Sequence, residues 1–282
     1  MTIHIYQDGT DGFGHQLEGF FTCLILHGVN NYYFDGIEYI HKTFNFQHIK
    51  EDETIIMKEY LIEVAKQFVK DFNLSKINYK NIIRSHELRK IPKNYESDVL
   101  YSLDNIFFFT KIFKESNVIQ KIHENIFRMK SYFINDKLPP NTLVEKNIVI
   151  HIRLGDALTS GRYDSIYAYN KKIQNLIDIF KIKYPDYTYY IHSDGFPINI
   201  INKIGTNYIL FDKNTPLIQV LSDMIHANIL ICGNSSLSKV CSYFGEKHLV
   251  ITHDDDNHCI CNVNTYKISN YLQLQNNKKY KK

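Results

Sequence analysis

The chain has 282 residues, a formal net charge of +3, 44% hydrophobic residues and 22% charged residues. That length suits one large or two medium domains, and the near-neutral balance excludes general nucleic-acid binding while leaving room for a local site for a phosphorylated ligand. No apolar run approaches the roughly 20 residues that span a bilayer and no signal peptide is visible, so a cytoplasmic protein without a transmembrane segment is expected.

Taken in order, Ile3–Tyr6 reads as a strand, followed by a glycine-rich loop containing Gly9, Gly12 and Gly14. His15 to His27 reads as an apolar helix and Tyr32–Phe34 as the next strand, a β-loop-α-β beginning. Residues 52–72 carry Ile55, Ile56, Tyr60, Ile62, Val64 and Phe68 among charges and predict a helix, and 97–133 read as mostly helical. Within that stretch Phe107, Phe108 and Phe109 read as packing residues. Pro139 and Pro140, with polar neighbours, mark a domain boundary or a crossover.

The second half alternates regularly. Strands are expected at Ile148–Arg153, Tyr187–His192, Tyr208–Phe211, Ile229–Cys232 and His248–Ile251. Helices are expected at Tyr167–Lys183, where Ile173, Leu176, Ile177 and Phe180 form one stripe, and at Pro197–Ile204, Pro216–His226 and Ser235–Phe244. Alternation with short loops predicts an α/β fold with a parallel sheet covered on both faces. The expected organisation is a first domain over 1–140, a second, clearer Rossmann-like domain over 145–265, and a polar tail over 266–282.

Ligands of open α/β sheets bind beyond the carboxyl ends of the strands. Three strand ends in the second half carry small and polar residues. The first is His151-Ile152-Arg153-Leu154-Gly155-Asp156, where Arg153 suits bidentate contact with a pyrophosphate, Gly155 permits close approach, and Asp156 orients Arg153 or meets a sugar hydroxyl. The second is His192-Ser193-Asp194-Gly195, with Ser193 and Asp194 placed for nucleoside hydroxyls or base. The third is Gly233-Asn234-Ser235-Ser236, whose amides and hydroxyls precede a helix.

His151–Asp156 resembles the His-x-Arg-Arg-Gly-Asp motif of the alpha-1,2-fucosyltransferase family. Gly12-Phe13-Gly14-His15-Gln16 resembles the Gly-x-Gly-Asn-Gln loop of that superfamily, and the segment from Asp223 to Ser238 is similar to its late segment ending in a Ser/Thr-rich turn. The matches run in family order from residue 9 to about 245. The resemblance implies a GT-B architecture, two Rossmann-like domains facing a cleft, and an inverting, metal-independent transfer of fucose from GDP-fucose to a glycan hydroxyl. It implies that Arg153 neutralises the donor pyrophosphate, that Ser235 and Ser236 with Asn234 hold phosphate, and that Gly12 and Gly14 line the cleft. His151, Asp156, Ser193 and Asp194 complete the expected donor site, and no cofactor or metal is expected beyond the substrate. The acceptor hydroxyl calls for a base, with His15, Glu18 and Asp8 as candidates and His15 favoured by its near-neutral titration. Two positions depart from the family pattern: Leu154 stands where a second arginine is common, and His15 where asparagine is usual.

Other readings use the same residues differently. A metal-dependent transferase would employ Asp254-Asp255-Asp256, but that run follows the last clear strand and reads as an exposed acidic loop. A dinucleotide-binding dehydrogenase lacks its third glycine, because Leu17 occupies the position. An inactive GT-B-like protein that binds glycans or nucleotides, and a transferase using another nucleotide sugar, are the remaining alternatives. The cysteines, Cys23, Cys232, Cys241, Cys259 and Cys261, have no disulfide or zinc spacing and read as free thiols.

Overall fold

A computed structural model describes residues 3–6, 13–29, 32–35, 51–69, 81–83, 99–102, 120–122, 124–128, 141–155, 163–244, 247–254 and 264–279. The chain is α/β and divides into two compact units, Met1–Lys137 and Leu138–Lys282.

In the first unit β1 (Ile3–Tyr6), β2 (Tyr32–Phe34), β3 (Asn81–Ile83) and β4 (Val99–Ser102) form a parallel sheet in the order β2-β1-β4-β3. Between β1 and β2 lies α1 (Phe13–Leu26), with every side chain from Gln16 to Leu26 buried. A helix apolar nearly all round must be enclosed, which explains the weak stripe in this segment. Its carboxyl end is closed by Gly28 at φ 77°, a left-handed turn that suits glycine. Asn125 Nδ2 donates to Ile25 O at 2.6 Å and His27 O at 3.0 Å, supplying partners to carbonyls the helix leaves over. The His27 ring accepts from Phe34 N at 3.0 Å and ties this end to β2. Helix α2 (Glu51–Val69) begins with Glu51, Asp52 and Glu53, favourable charges at a helix amino end. Its buried face is Met57, Tyr60, Leu61, Val64, Ala65 and Phe68, while Ile55 and Ile56 face water.

Strand β4 corrects the helical reading of 97–133, since Val99–Ser102 pairs with both β1 and β3. Four residues of Val-Leu-Tyr-Ser cannot be assigned by periodicity, and long-range pairing decides the matter. Residues 120–122 and 124–128 are helical. Phe107, Phe108, Phe109, Pro139 and Pro140 lie outside the described residues.

The second unit holds a six-stranded sheet, β5 (Asn147–Ile152), β6 (Thr188–Ser193), β7 (Tyr208–Phe211), β8 (Ile229–Ile231), β9 (Leu249–Thr252) and β10 (Thr265–Lys267). Every pair in it is parallel. One face buries Ile148, Ile150 and Ile152 of β5 with Ile191, Ile229, Ile231, Leu249 and Ile251. Against it packs α3 (Tyr163–Lys183) through Ile173, Leu176, Ile177 and Phe180, each fully buried and each contributing roughly 1.5–3 kcal/mol. Helix α4 (Ile198–Ile204) adds Ile200, Ile201 and Ile204 to the same core. Two further helices, α5 (Leu217–His226) and α6 (Ser236–Ser242), pack on each other, α5 burying Leu221–Ile225 and α6 Ser238–Ser242.

The stretch 266–282 is not only a tail. Strand β10 extends the sheet beside β9, and α7 (Ile268–Lys279) places Ile268 and Tyr271 in the core. Few apolar residues mark α7 in the sequence, and a polar side chain fixes its start. Asp254 Oδ1 accepts from Ser269 N at 3.0 Å and Oδ2 from Ser269 Oγ at 2.7 Å, while Lys172 Nζ lies 2.5 Å from Oδ2. Asp254 is thus a structural tie rather than part of an open acidic loop. Asp255, Asp256, His258, Cys259 and Cys261 lie outside the described residues. Among the described cysteines Cys23, Cys232 and Cys241 are free and buried.

Candidate functional site at the strand ends of the second unit

The strand order is β10-β9-β8-β5-β6-β7. Counted from β5, this is 6-5-4-1-2-3, the Rossmann-like doubly wound order, and the winding reverses between β5 and β8. All strands are parallel, so their carboxyl ends share one edge, and the reversal is where sheets of this order bind ligands. The residues following β5 are Arg153, Leu154 and Gly155, and those following β8 are Cys232, Gly233, Asn234 and Ser235. Two of the three polar strand ends therefore flank the switch point. The third, Ser193-Asp194, closes β6 immediately beside β5.

The β5 and β6 ends are laced together. Asp194 Oδ1 accepts from Leu154 N at 2.5 Å. A Cβ on Gly155 would lie 2.8 Å from Asp194 Oδ2, and one on Gly195 would lie 2.9 Å from Leu154 Cβ. Gly195 is thus required by close approach, and a side chain at Gly155 would push the Asp194 carboxylate from its place. The Leu154 side chain packs against the core, so it does not present itself to a ligand as a second arginine would. Ser193 is buried and its Oγ accepts from Gly195 N at 3.3 Å, forming a turn. Their position in the sequence directs Ser193 and Asp194 toward a nucleoside. Here Ser193 and one oxygen of Asp194 serve the loop backbone.

Across the reversal, a Cβ on Gly233 would sit 2.6 Å from His151 O and 3.2 Å from His151 Nδ1. The β8 turn reaches the end of β5 only because residue 233 has no side chain. Ser235 caps α6, its Oγ accepting from Leu237 N at 3.3 Å. Asn234 and Ser236 are half-buried, and their side chains make no hydrogen bond among the described residues. They remain the polar groups of this turn open to a ligand. Arg153 is half-buried at the opposite lip.

Beneath this edge lies a buried polar group. His151 and His192 are register partners on adjacent strands, and Phe211 is the partner of His192 on β7. The His192 and Phe211 rings stack at 4.6 Å with an interplanar angle of 14°. His192 Nε2 lies 3.3 Å from Asp223 Oδ2, with the two side chains 2% and 0% exposed. Asp223 also accepts from Thr142 N at 3.0 Å, Thr142 Oγ1 at 3.1 Å and Gln219 Nε2 at 2.9 Å. Burial alone would raise the Asp223 pKa. The nearby His192 and the donated hydrogen bonds outweigh it and hold the carboxyl below its usual range. His151 is pushed down to about 3 by burial, then by His192 and Arg153, so its ring is neutral at pH 7. The positive charge at this strand end therefore comes from Arg153, not from the histidine two residues before it.

The sequence pattern by itself gives His192 and Asp223 no role. A signal was available: Asp223 interrupts the apolar run Leu221, Met224, Ile225 and stands one helical turn from Gln219. Of the other expected site residues, Gly12, Asp8 and Asp156 lie outside the described residues. Gly14 and His15 fall in the first turn of α1 in the first unit, where Glu18 is buried. Among the described residues no group of three or more His, Cys, Asp or Glu is arranged to hold a metal ion. No helix among them is long and apolar enough to cross a membrane. Comparison of the chain with known protein families and with curated proteins finds no match.

Proposed function

We propose that the chain is a glycosyltransferase of GT-B type, inverting and metal-independent, which transfers fucose from GDP-fucose to a glycan hydroxyl. The observation that carries the reading is the strand order. It gives the arginine of the His-x-Arg motif and the Gly233–Ser236 turn to the two strands that flank the switch point, where doubly wound sheets bind nucleotides. In this reading the second unit holds the donor.

The leaving diphosphate needs fixed positive and hydrogen-bonding groups, and no metal if these suffice. Arg153 contributes charge and a bidentate donor fork. Asn234 and Ser236 contribute hydrogen-bonding groups that the fold does not use. His15 is the favoured base for the acceptor hydroxyl. The inward packing of Leu154 supports a second reading, in which a transferase with a single cationic contact uses another nucleotide sugar.

A thermal-shift screen of the full chain against nucleotides and nucleotide sugars tests both. Stabilisation by GDP and GDP-fucose above the others is expected. A preference for a uridine or cytidine diphosphate sugar would move the donor assignment to the second reading. No response to any nucleotide would refute the site.

A further inference from the structure

Phe196 is 65% exposed and lies two residues beyond Asp194 at the carboxyl end of β6. Its ring has no aromatic partner among the described residues. An exposed phenylalanine alone needs no explanation. This one is held by its neighbours on both sides. Before it, Gly195 N donates to Ser193 Oγ at 3.3 Å, and Gly195 is pressed against Leu154. After it, Ile198 N donates to Phe196 O at 3.0 Å and Pro197 is buried at the start of α4. The Leu154–Asp194 hydrogen bond then ties this loop to the one carrying Arg153. An exposed aromatic residue on a braced backbone and an arginine thus stand on adjacent strand ends of one sheet.

In doubly wound sheets of this order the phosphates lie at the turn after the first strand, and the nucleoside lies toward the end of the second. Here those strands are β5 and β6. We propose that Phe196 is the stacking platform for the base of a nucleoside diphosphate whose phosphates meet Arg153. The inference rests on the nucleotide-sugar reading above and adds to it the residue that distinguishes a nucleotide from a bare diphosphate. Any base has a π face, so Phe196 supplies affinity for the nucleoside, and selection among bases falls to other groups.

The chain contains no tryptophan, so Phe196→Trp installs a single fluorescent reporter at the position. Calorimetry of the full chain with GDP and with inorganic pyrophosphate is paired with emission from that variant. Phe196→Ala is expected to weaken GDP binding by roughly ten-fold or more. Pyrophosphate binding should be unchanged, and Phe196→Tyr should restore the affinity for GDP. GDP should quench Phe196→Trp emission over the concentration range in which it binds, and pyrophosphate should not. If wild-type protein binds GDP but Phe196→Ala binds it within two-fold, or GDP leaves the tryptophan emission unchanged, the platform is refuted and the donor site stands. If wild-type protein binds no nucleotide, both fail together.

Discussion

Removing the Asp223 carboxylate tests the buried group beneath the strand ends. Its two oxygens accept from the Thr142 amide and hydroxyl and from Gln219 Nε2, and one faces His192. Asp223→Ala deletes the acceptor and leaves these donors. An orphaned buried donor costs about 1–3 kcal/mol. Thr142 is exposed and Gln219 half-buried, so their freed donors reach water in part and each cost falls at the low end of that range. The expected loss is roughly 2–4 kcal/mol, or roughly 5–10 °C in the melting temperature of a unit this size. Asp223→Asn keeps the shape and an acceptor for the Thr142 and Gln219 amides but removes the charge, and should lose about half as much. The folded carboxyl has a lowered pKa, so the unfolded chain binds its proton first as pH falls. The charge-dependent stability is complete above the ordinary Asp value of about 4 and lost as pH falls through the folded value. Urea unfolding of wild type, Asp223→Ala and Asp223→Asn between pH 7 and pH 3, with hydrogen exchange at the Thr142 amide, measures each quantity. An Asp223→Ala variant within about 0.5 kcal/mol of wild type at pH 7, with Thr142 protection unchanged, would refute the reasoning.

Arg153→Ala should abolish transfer and weaken GDP binding while the far-ultraviolet circular dichroism stays that of wild type; near-full activity in the folded variant would remove Arg153 from the donor site. Gly233→Ala forces a Cβ against the His151 carbonyl, where 2.6 Å must open by several tenths of an ångström. A cost of about 1–3 kcal/mol and loss of nucleotide binding are expected from unfolding curves and calorimetry, and wild-type values in both would contradict the close approach. His27 has its pKa lowered to about 4, chiefly by burial and then by Arg128. The unfolded chain takes up this proton first, so stability falls as pH drops from about 6.5 toward 4, and His27→Gln should flatten that limb of the urea midpoint. Identical slopes in variant and wild type would exclude His27 as its source.

Local pattern made much of the second unit legible. The alternation of Ile148, Ile150 and Ile152 in β5 and the stripe from Ile173 to Phe180 in α3 follow from strand and helix periods that short segments carry by themselves. Arg153 could be placed at a strand end for the same reason. Strands β3 and β4 and the β10–α7 extension escaped, because a few residues with little apolar periodicity become strand or helix only through partners distant in the chain. Asp223 and Thr142 are 81 residues apart, and no spacing rule relates them.

By itself the sequence determined that the second unit alternates strand and helix, that the strands are buried on both faces, and that Arg153, Asp194 and Asn234 stand where strands end. Tertiary structure alone decided the strand order. That order puts β5 beside β8 and so brings Arg153 and Gly233–Ser236 to one switch point. It also set Asp194 on the Leu154 amide and left Phe196 in water. The physical reason is that side-chain period is local, whereas strand adjacency is fixed by hydrogen bonds and packing summed over the whole sheet.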